Sequence, residues 1–90
     1  QLAPNLQKGL LLAQKALQSG KPASQSTKIM EEFMQGFPEF DLEYFSVVDS
    51  QTLEAVEFPQ SGQQIALCTA AFLGSVRLID NIVFDFEGAF

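Results

Sequence analysis

The polar residues most able to do chemistry are Arg77, Asp80 and Asn81, which stand close together in an otherwise apolar segment. Arg77 is the only arginine, and its planar guanidinium matches phosphate or carboxylate groups. Asp80 needs hydrogen bonds or a cation among its apolar neighbours, because burying an unpaired carboxylate is costly. Two interpretations are open: Asp80 fastens this segment to the helices, or Arg77 or Asn81 faces a ligand or a partner domain.

Other chemical groups are sparse. The sequence has no His and one Cys, which excludes Ser-His-Asp catalysis, histidine metal ligands, a cysteine zinc cluster and an internal disulfide. Glu39, Asp41 and Glu43 could approach a cation, but consecutive strand residues point to opposite faces, and residues 31–32 are two glutamates typical of a solvated helix face. Phosphate-binding and calcium-binding motifs are absent. We therefore predict no catalytic, cofactor-binding or metal-binding residue in this chain.

The charge distribution excludes a class of partner. The net charge is −6; residues 1–30 carry four lysines and no acid, whereas residues 31–90 carry Arg77 and all eleven acids. An acidic segment of this size repels phosphate backbones, so we predict no nucleic-acid partner. No apolar run approaches the length of a membrane span, so we predict no membrane partner. Cys68 is expected to be a buried small hydrophobe, and the absence of disulfides favours the cytoplasm.

Two helices are expected to come first. Over residues 4–18, Leu6, Leu10, Ala13 and Leu17 recur at helical spacing and form one apolar stripe. Residues 24–35 repeat the pattern with methionine and phenylalanine, a stripe typical of a core. We predict that Ser24 or Ser26 caps the start of this second helix.

The pattern then changes to that of strands. Alternation over residues 42–47 changes phase at Tyr44–Phe45, which predicts a strand that either contains a bulge or has both faces partly covered. A continuous apolar run over residues 65–73 predicts a buried strand, Gly74 and Ser75 a tight turn, and residues 76–84 a returning strand. Arg77 and Asp80 should then lie on opposite faces. The fold class is therefore α+β, with two N-terminal helices followed by a small antiparallel sheet of about three strands.

The segment that contains the polar cluster also resembles a known family. Residues 77–81 (RLIDN), preceded by residues 70–74 (AAFLG), resemble the C-terminal hallmark of the pantothenate synthetases, or pantoate–β-alanine ligases. Residues 42–53 (LEYFSVVDSQTL) are similar to that family's strand and its following Asp-x-x-Thr-Leu turn. Residues 1–4, together with Leu6, are similar to the start of the domain's first helix.

The resemblance implies that residues 1–84 are the C-terminal lid domain of such an enzyme and that residues 85–90 are a tail or linker. The full enzyme uses ATP and Mg to form pantoyl adenylate, which β-alanine attacks to give pantothenate, AMP and pyrophosphate. The preceding nucleotidyl-transferase domain carries its His-x-Gly-His-type and Ser-Arg-Asn motifs, and neither occurs here. We therefore expect the 90-residue chain to be inactive alone, and Arg77, Asp80 and Asn81 to match an architectural motif.

An alternative is a free-standing interaction domain without catalytic activity. The sequence begins at Gln1 rather than Met, from which we expect a fragment of a longer chain. A domain separated from its partner exposes apolar surface, so we also expect self-association. Some members of the family are fused to a cytidylate kinase, and the tail leaves that arrangement open.

Overall fold

A computed structural model describes residues 3–87 of the protein. Helices α1 (Ala3–Gln18) and α2 (Ala23–Gln35) precede strands β1 (Phe40–Asp49), β2 (Gln64–Leu73) and β3 (Val76–Asp85). The strands form one antiparallel sheet in the order β1-β2-β3. The core lies between one face of this sheet and both helices. The predicted α+β architecture is confirmed.

Helix α1 packs as its apolar stripe predicts, because Leu6, Leu10, Ala13 and Leu17 are all buried. Gly9 lies on the side of α1 that contacts α2. A Cβ atom placed on Gly9 would stand 2.7 Å from Sδ of Met30 on α2. This glycine therefore permits the helix contact, although glycine lowers intrinsic helix propensity.

The start of α2 differs from the prediction. Pro22 occupies the capping position, without a side-chain hydrogen bond to the first turn, and Ser26 Oγ instead donates to the Ala23 carbonyl. The predicted cap at Ser24 or Ser26 is therefore wrong. The physical reason is that Glu57, from the loop between β1 and β2, accepts hydrogen bonds from the backbone N–H groups of Ala23 and Ser24.

The predicted irregularity in β1 is present, one residue earlier than expected. The register with β2 shifts between Leu42 and Tyr44, so Glu43 is the extra residue of a bulge. This shift brings Leu42 and Phe45, three positions apart, to the same helix-covered face. At the end of β1, Asp49 accepts hydrogen bonds from the N–H groups of Gln51 and Thr52.

The β2–β3 hairpin follows its predicted turn, with Gly74 at a positive φ of 63°. Alternate residues of β3 are half-buried against the helices, whereas Ile79 and Val83 are 62% and 54% exposed on the opposite face. We call this helix-free face the outer face. Cys68 lies on it, and the prediction that Cys68 is buried is wrong: it is only half-buried, because no helix covers it.

The end of the chain packs further than its sequence indicates. We placed a tail at residues 85–90, but Asp85 still pairs with Gln64 in the sheet. Phe86 is only 5% exposed, and its N–H donates to the Gln63 carbonyl. Of the remaining tail residues, 88–90 lie outside the described part of the chain, and their role as a tail or linker stays a prediction.

Candidate functional site

Arg77 stands on the outer face close to the β2–β3 turn. Its Nε donates to Oε1 of Glu43 at 2.7 Å, and this hydrogen bond, together with the negative charge of Glu43, raises the pKa of Arg77 above its ordinary value. The partner is the bulge residue of β1, so the ion pair spans the sheet from one edge strand to the other. Both side chains are about 40% exposed, so the pair adds little stability.

Asp80 stands on the opposite face of β3, toward the helices. Its Oδ1 accepts a hydrogen bond of 2.8 Å from the N–H of Asn81. The side-chain amide of Gln7 on α1 faces both carboxylate oxygens and donates to them when its nitrogen is turned to that side, the orientation that satisfies both groups. Asp80 thus links the last strand to the first helix.

Asn81 shares the outer face with Arg77, opposite Cys68 of β2. The structure therefore does not bring the three motif residues into one site. Arg77 and Asn81 face away from the helices and Asp80 faces toward them, as strand alternation predicts. Their arrangement places Arg77 and Asn81 on an exposed surface and Asp80 in a link between β3 and α1.

The outer face itself is mostly apolar. Its centre is formed by Ala66 and Ala70 of β2, which neighbouring strands bury without any helix. Tyr44 on β1 and Ile79 and Val83 on β3 surround this centre and are exposed. Such a contiguous apolar surface is typical of an interaction site.

A second feature that the sequence did not reveal is a groove beside α2. Its volume is about 450 Å³, and residues of the first turn of α2, of β1 and of residues 53–57 line it. At the N-terminal end of α2, the backbone carbonyl of Glu57 accepts from the Ala23 N–H, and its carboxylate oxygen accepts from the Ser24 N–H. This negative group occupies the position where a helix start would attract an external anion.

Like Arg77, Asp49 has a pKa that differs from its ordinary value. Gln63 donates from Nε2 to Oδ2 of Asp49 at 2.9 Å, and this bond, followed by those from the Thr52 and Gln51 N–H groups, lowers the pKa of Asp49. These partners close the loop between β1 and β2. Asp49 therefore has a structural role.

Within residues 3–87, no group of three or more acidic or Cys side chains is arranged to hold a metal ion. Glu39, Asp41 and Glu43 are all exposed at the start of β1. In the same described part, neither helix has the length and apolar character needed to cross a bilayer.

Comparisons with known proteins identify the family. The model of the family "Pantoate-beta-alanine ligase" matches residues 1–83. A pantothenate synthetase of Cytophaga hutchinsonii is 34% identical over 83 residues, which are 91% of this chain and 29% of that relative. A pantothenate synthetase of Granulibacter bethesdensis is 37% identical over 81 residues, which are 90% of this chain and 28% of that relative.

A solved structure shows the same fold. The pantothenate synthetase of Thermus thermophilus superimposes with a TM-score of 0.75 at 26% identity, over 88% of this chain and 28% of that one. The matched part belongs to the C-terminal region of that enzyme. The chain thus spans less than a third of the length of the relatives it matches. From the family match over residues 1–83, we conclude that the chain belongs to the pantoate–β-alanine ligase family.

Proposed function

We propose that this chain is the C-terminal lid domain of an ATP-dependent ligase that joins pantoate to β-alanine through pantoyl adenylate, with release of AMP and pyrophosphate. The observation that carries the proposal is the match of residues 1–83 to the family, combined with coverage of only 28–29% of its relatives. Most of such an enzyme lies outside this chain. A cytoplasmic location fits this role.

The chain supplies no catalytic group of its own to this reaction. It lacks histidine altogether, and the described residues include no metal-binding cluster for Mg. Its only arginine is paired with Glu43, and Glu57 fills the start of α2. We therefore assign the binding of ATP and Mg to the preceding nucleotidyl-transferase domain.

The lid would act by excluding water. An acyl adenylate hydrolyses when water reaches it, and a domain that covers the site protects the intermediate until the amine attacks. Rigidity is the property this task requires. Asp80 contributes to it by joining β3 to α1 through Gln7, and we assign an architectural role to the motif Arg77, Asp80 and Asn81.

A split enzyme tests this function. The C. hutchinsonii relative, truncated before its matched region, is assayed with ATP and pantoate, with and without the present chain. The proposal expects no turnover by the 90-residue chain alone. It also expects the truncated enzyme to release AMP without β-alanine, and the added chain to suppress this release. Ligase turnover by the chain alone would contradict the proposal.

A second candidate is a free-standing interaction domain, which the exposed outer face favours. Ile79 and Val83 are more than half exposed there, as an interface residue of an isolated domain would be. The gene sequence distinguishes the two candidates. An upstream coding region with the His-x-Gly-His-type and Ser-Arg-Asn motifs supports the lid, whereas a start codon adjoining Gln1 supports the independent domain. The downstream sequence tests fusion to a cytidylate kinase.

A further inference from the structure

Strand β3 forms a ten-residue edge of the sheet that no other strand covers among the described residues. Leu73 and Val76 flank the two-residue turn and face each other, so the even-numbered residues of β3 hydrogen bond to β2. Phe86, which is also even-numbered, follows the same pattern, because its N–H donates to the carbonyl of Gln63. The odd-numbered residues therefore direct their N–H and C=O groups to the free edge, and their side chains lie on the outer face.

The opposite edge of the sheet is protected. Along β1, the Val47 carbonyl accepts from the Val56 N–H and the Asp49 N–H donates to the Glu54 carbonyl. The bulge at Glu43 interrupts the other half of that strand. Covering segments and bulges are the usual means of preventing strand pairing. Strand β3 has no bulge or proline, so among the described residues it is the edge that is open to pairing with a further strand.

The sequence of β3 is complementary to itself in one antiparallel register. In this register two copies of β3 pair with each other, and Asn81 of one molecule faces Asn81 of the other across a two-fold axis. Ile79 then faces Val83 of the second molecule, and Arg77 faces Asp85 of the second molecule. All of these are odd-numbered residues, so their outward backbone groups meet as hydrogen-bonded pairs. Arg77 can donate hydrogen bonds to the facing Asp85 carboxylate through its Nη atoms. Only its Nε binds Glu43, and the Nη atoms have no partner within residues 3–87.

We infer that the free edge of β3 binds a second copy of this chain in this register, giving a six-stranded antiparallel sheet. The inference does not depend on the proposed function. Helix α1 supports it: Leu11 is exposed and lies one turn after Gln7 and two turns before Gln18, both of which contact β3. Leu11 thus adds apolar surface on the same side of the domain.

Asp80 opposes this association. Its carboxylate accepts the Asn81 N–H, which is one of the outward groups at the centre of the register, and must release it when strands pair. Gln18 similarly reaches the Asp85 carbonyl at 3.5 Å, near the end of the strand. An acidic group placed at an edge is a known defence against pairing. Substituting Asp80 by Val should therefore strengthen the dimer.

Sedimentation equilibrium of charge variants tests the register. All variants carry Glu43→Gln, so that the ion pair within each molecule does not complicate the comparison. Arg77→Asp places two acids opposite each other and should raise the dimer dissociation constant about tenfold. The double variant Arg77→Asp/Asp85→Arg restores opposite charges and should recover the affinity. Circular dichroism verifies that each variant is folded.

Hydrogen exchange supplies a second readout, by residue. On raising the concentration of the wild-type chain, the amides of Ile79, Asn81 and Val83 should become protected, whereas the amide of Ile82, already bonded to β2, should change little. A monomer at every concentration in both the wild type and Asp80→Val would overturn the inference. So would a dimer that Arg77→Asp leaves unchanged, or one that protects other amides.

Discussion

The side-chain amide of Gln7 on α1 faces both carboxylate oxygens of Asp80 on β3. This contact joins the first helix to the last strand, so the two ends of the domain are held together by polar groups as well as by the core. It also explains how an acidic residue is accommodated among Leu78, Ile82 and Phe84, because its oxygens are satisfied by Gln7 and by the Asn81 N–H.

Substituting Asp80 by Ala should lower the free energy of unfolding by about 1–2 kcal/mol, because it leaves the Gln7 amide and the Asn81 N–H without their acceptor. Urea denaturation measures the loss. Gln7→Ala alone should cost less than Asp80→Ala, since the Asn81 bond remains. In a double-mutant cycle the two losses should not add. Full additivity would show that Gln7 and Asp80 do not interact.

Glu57→Ala should destabilise the chain by about 0.5–1 kcal/mol, because it removes the carboxylate from the N-terminal end of α2. The carbonyl of residue 57 still accepts from Ala23, so the loss is partial. Ser24→Ala is the matched control and should change the stability by less, since Pro22, not Ser24, occupies the capping position. If thermal unfolding shows that Ser24→Ala loses more stability than Glu57→Ala, Ser24 caps the helix and this assignment is wrong.

Gly9→Ala should destabilise the protein by about 1–2 kcal/mol, even though alanine favours helix formation, because its Cβ overlaps Sδ of Met30, and the fully buried Met30 side chain has no free space to move into. Gly36→Ala is the control: its Cβ would make an ordinary contact of 3.4 Å with the Phe33 carbonyl oxygen, and its stability should be near that of the wild type. Combining Gly9→Ala with Met30→Ala should be less harmful than the sum of the two. A stabilising Gly9→Ala would mean that the helices are further apart.

Asp49 makes stability depend on pH in the acidic range. Its pKa is lowered from 3.8 in the folded state, first by Gln63 and then by backbone N–H groups, so the unfolded chain binds the proton more tightly. The stabilisation is therefore present above the ordinary pKa and is lost as the pH falls through the lower folded value. As the pH is lowered from about 6 to about 2, the urea midpoint of unfolding should fall less in Asp49→Asn than in the wild type. Gln63→Ala should reduce the pH dependence partially, and an unchanged profile in both variants would contradict this assignment.

Local patterns predicted those elements whose causes lie close together in sequence. The stripe of Leu6, Leu10 and Leu17 is sufficient to place α1, and alternation is sufficient to place Arg77 and Asp80 on opposite faces of β3. The cap of α2 by Glu57 and the contact of Gln7 with Asp80 could not be predicted, because each joins distant segments that only the fold brings together. The exposure of Cys68 escaped prediction for a related reason: an apolar strand does not reveal that one of its faces lacks a covering helix.

A chimera tests whether this chain acts as the lid of the enzyme. Residues 1–83 of this chain replace the matched C-terminal region of the C. hutchinsonii relative, with the intact and the truncated relative as controls. The measurement is AMP released and pantothenate formed from ATP, pantoate and β-alanine. If this chain is the lid, the chimera forms pantothenate and, unlike the truncated enzyme, releases little AMP when β-alanine is omitted. A chimera as inactive or as prone to wasteful AMP release as the truncated enzyme, while the intact relative is active, would contradict it.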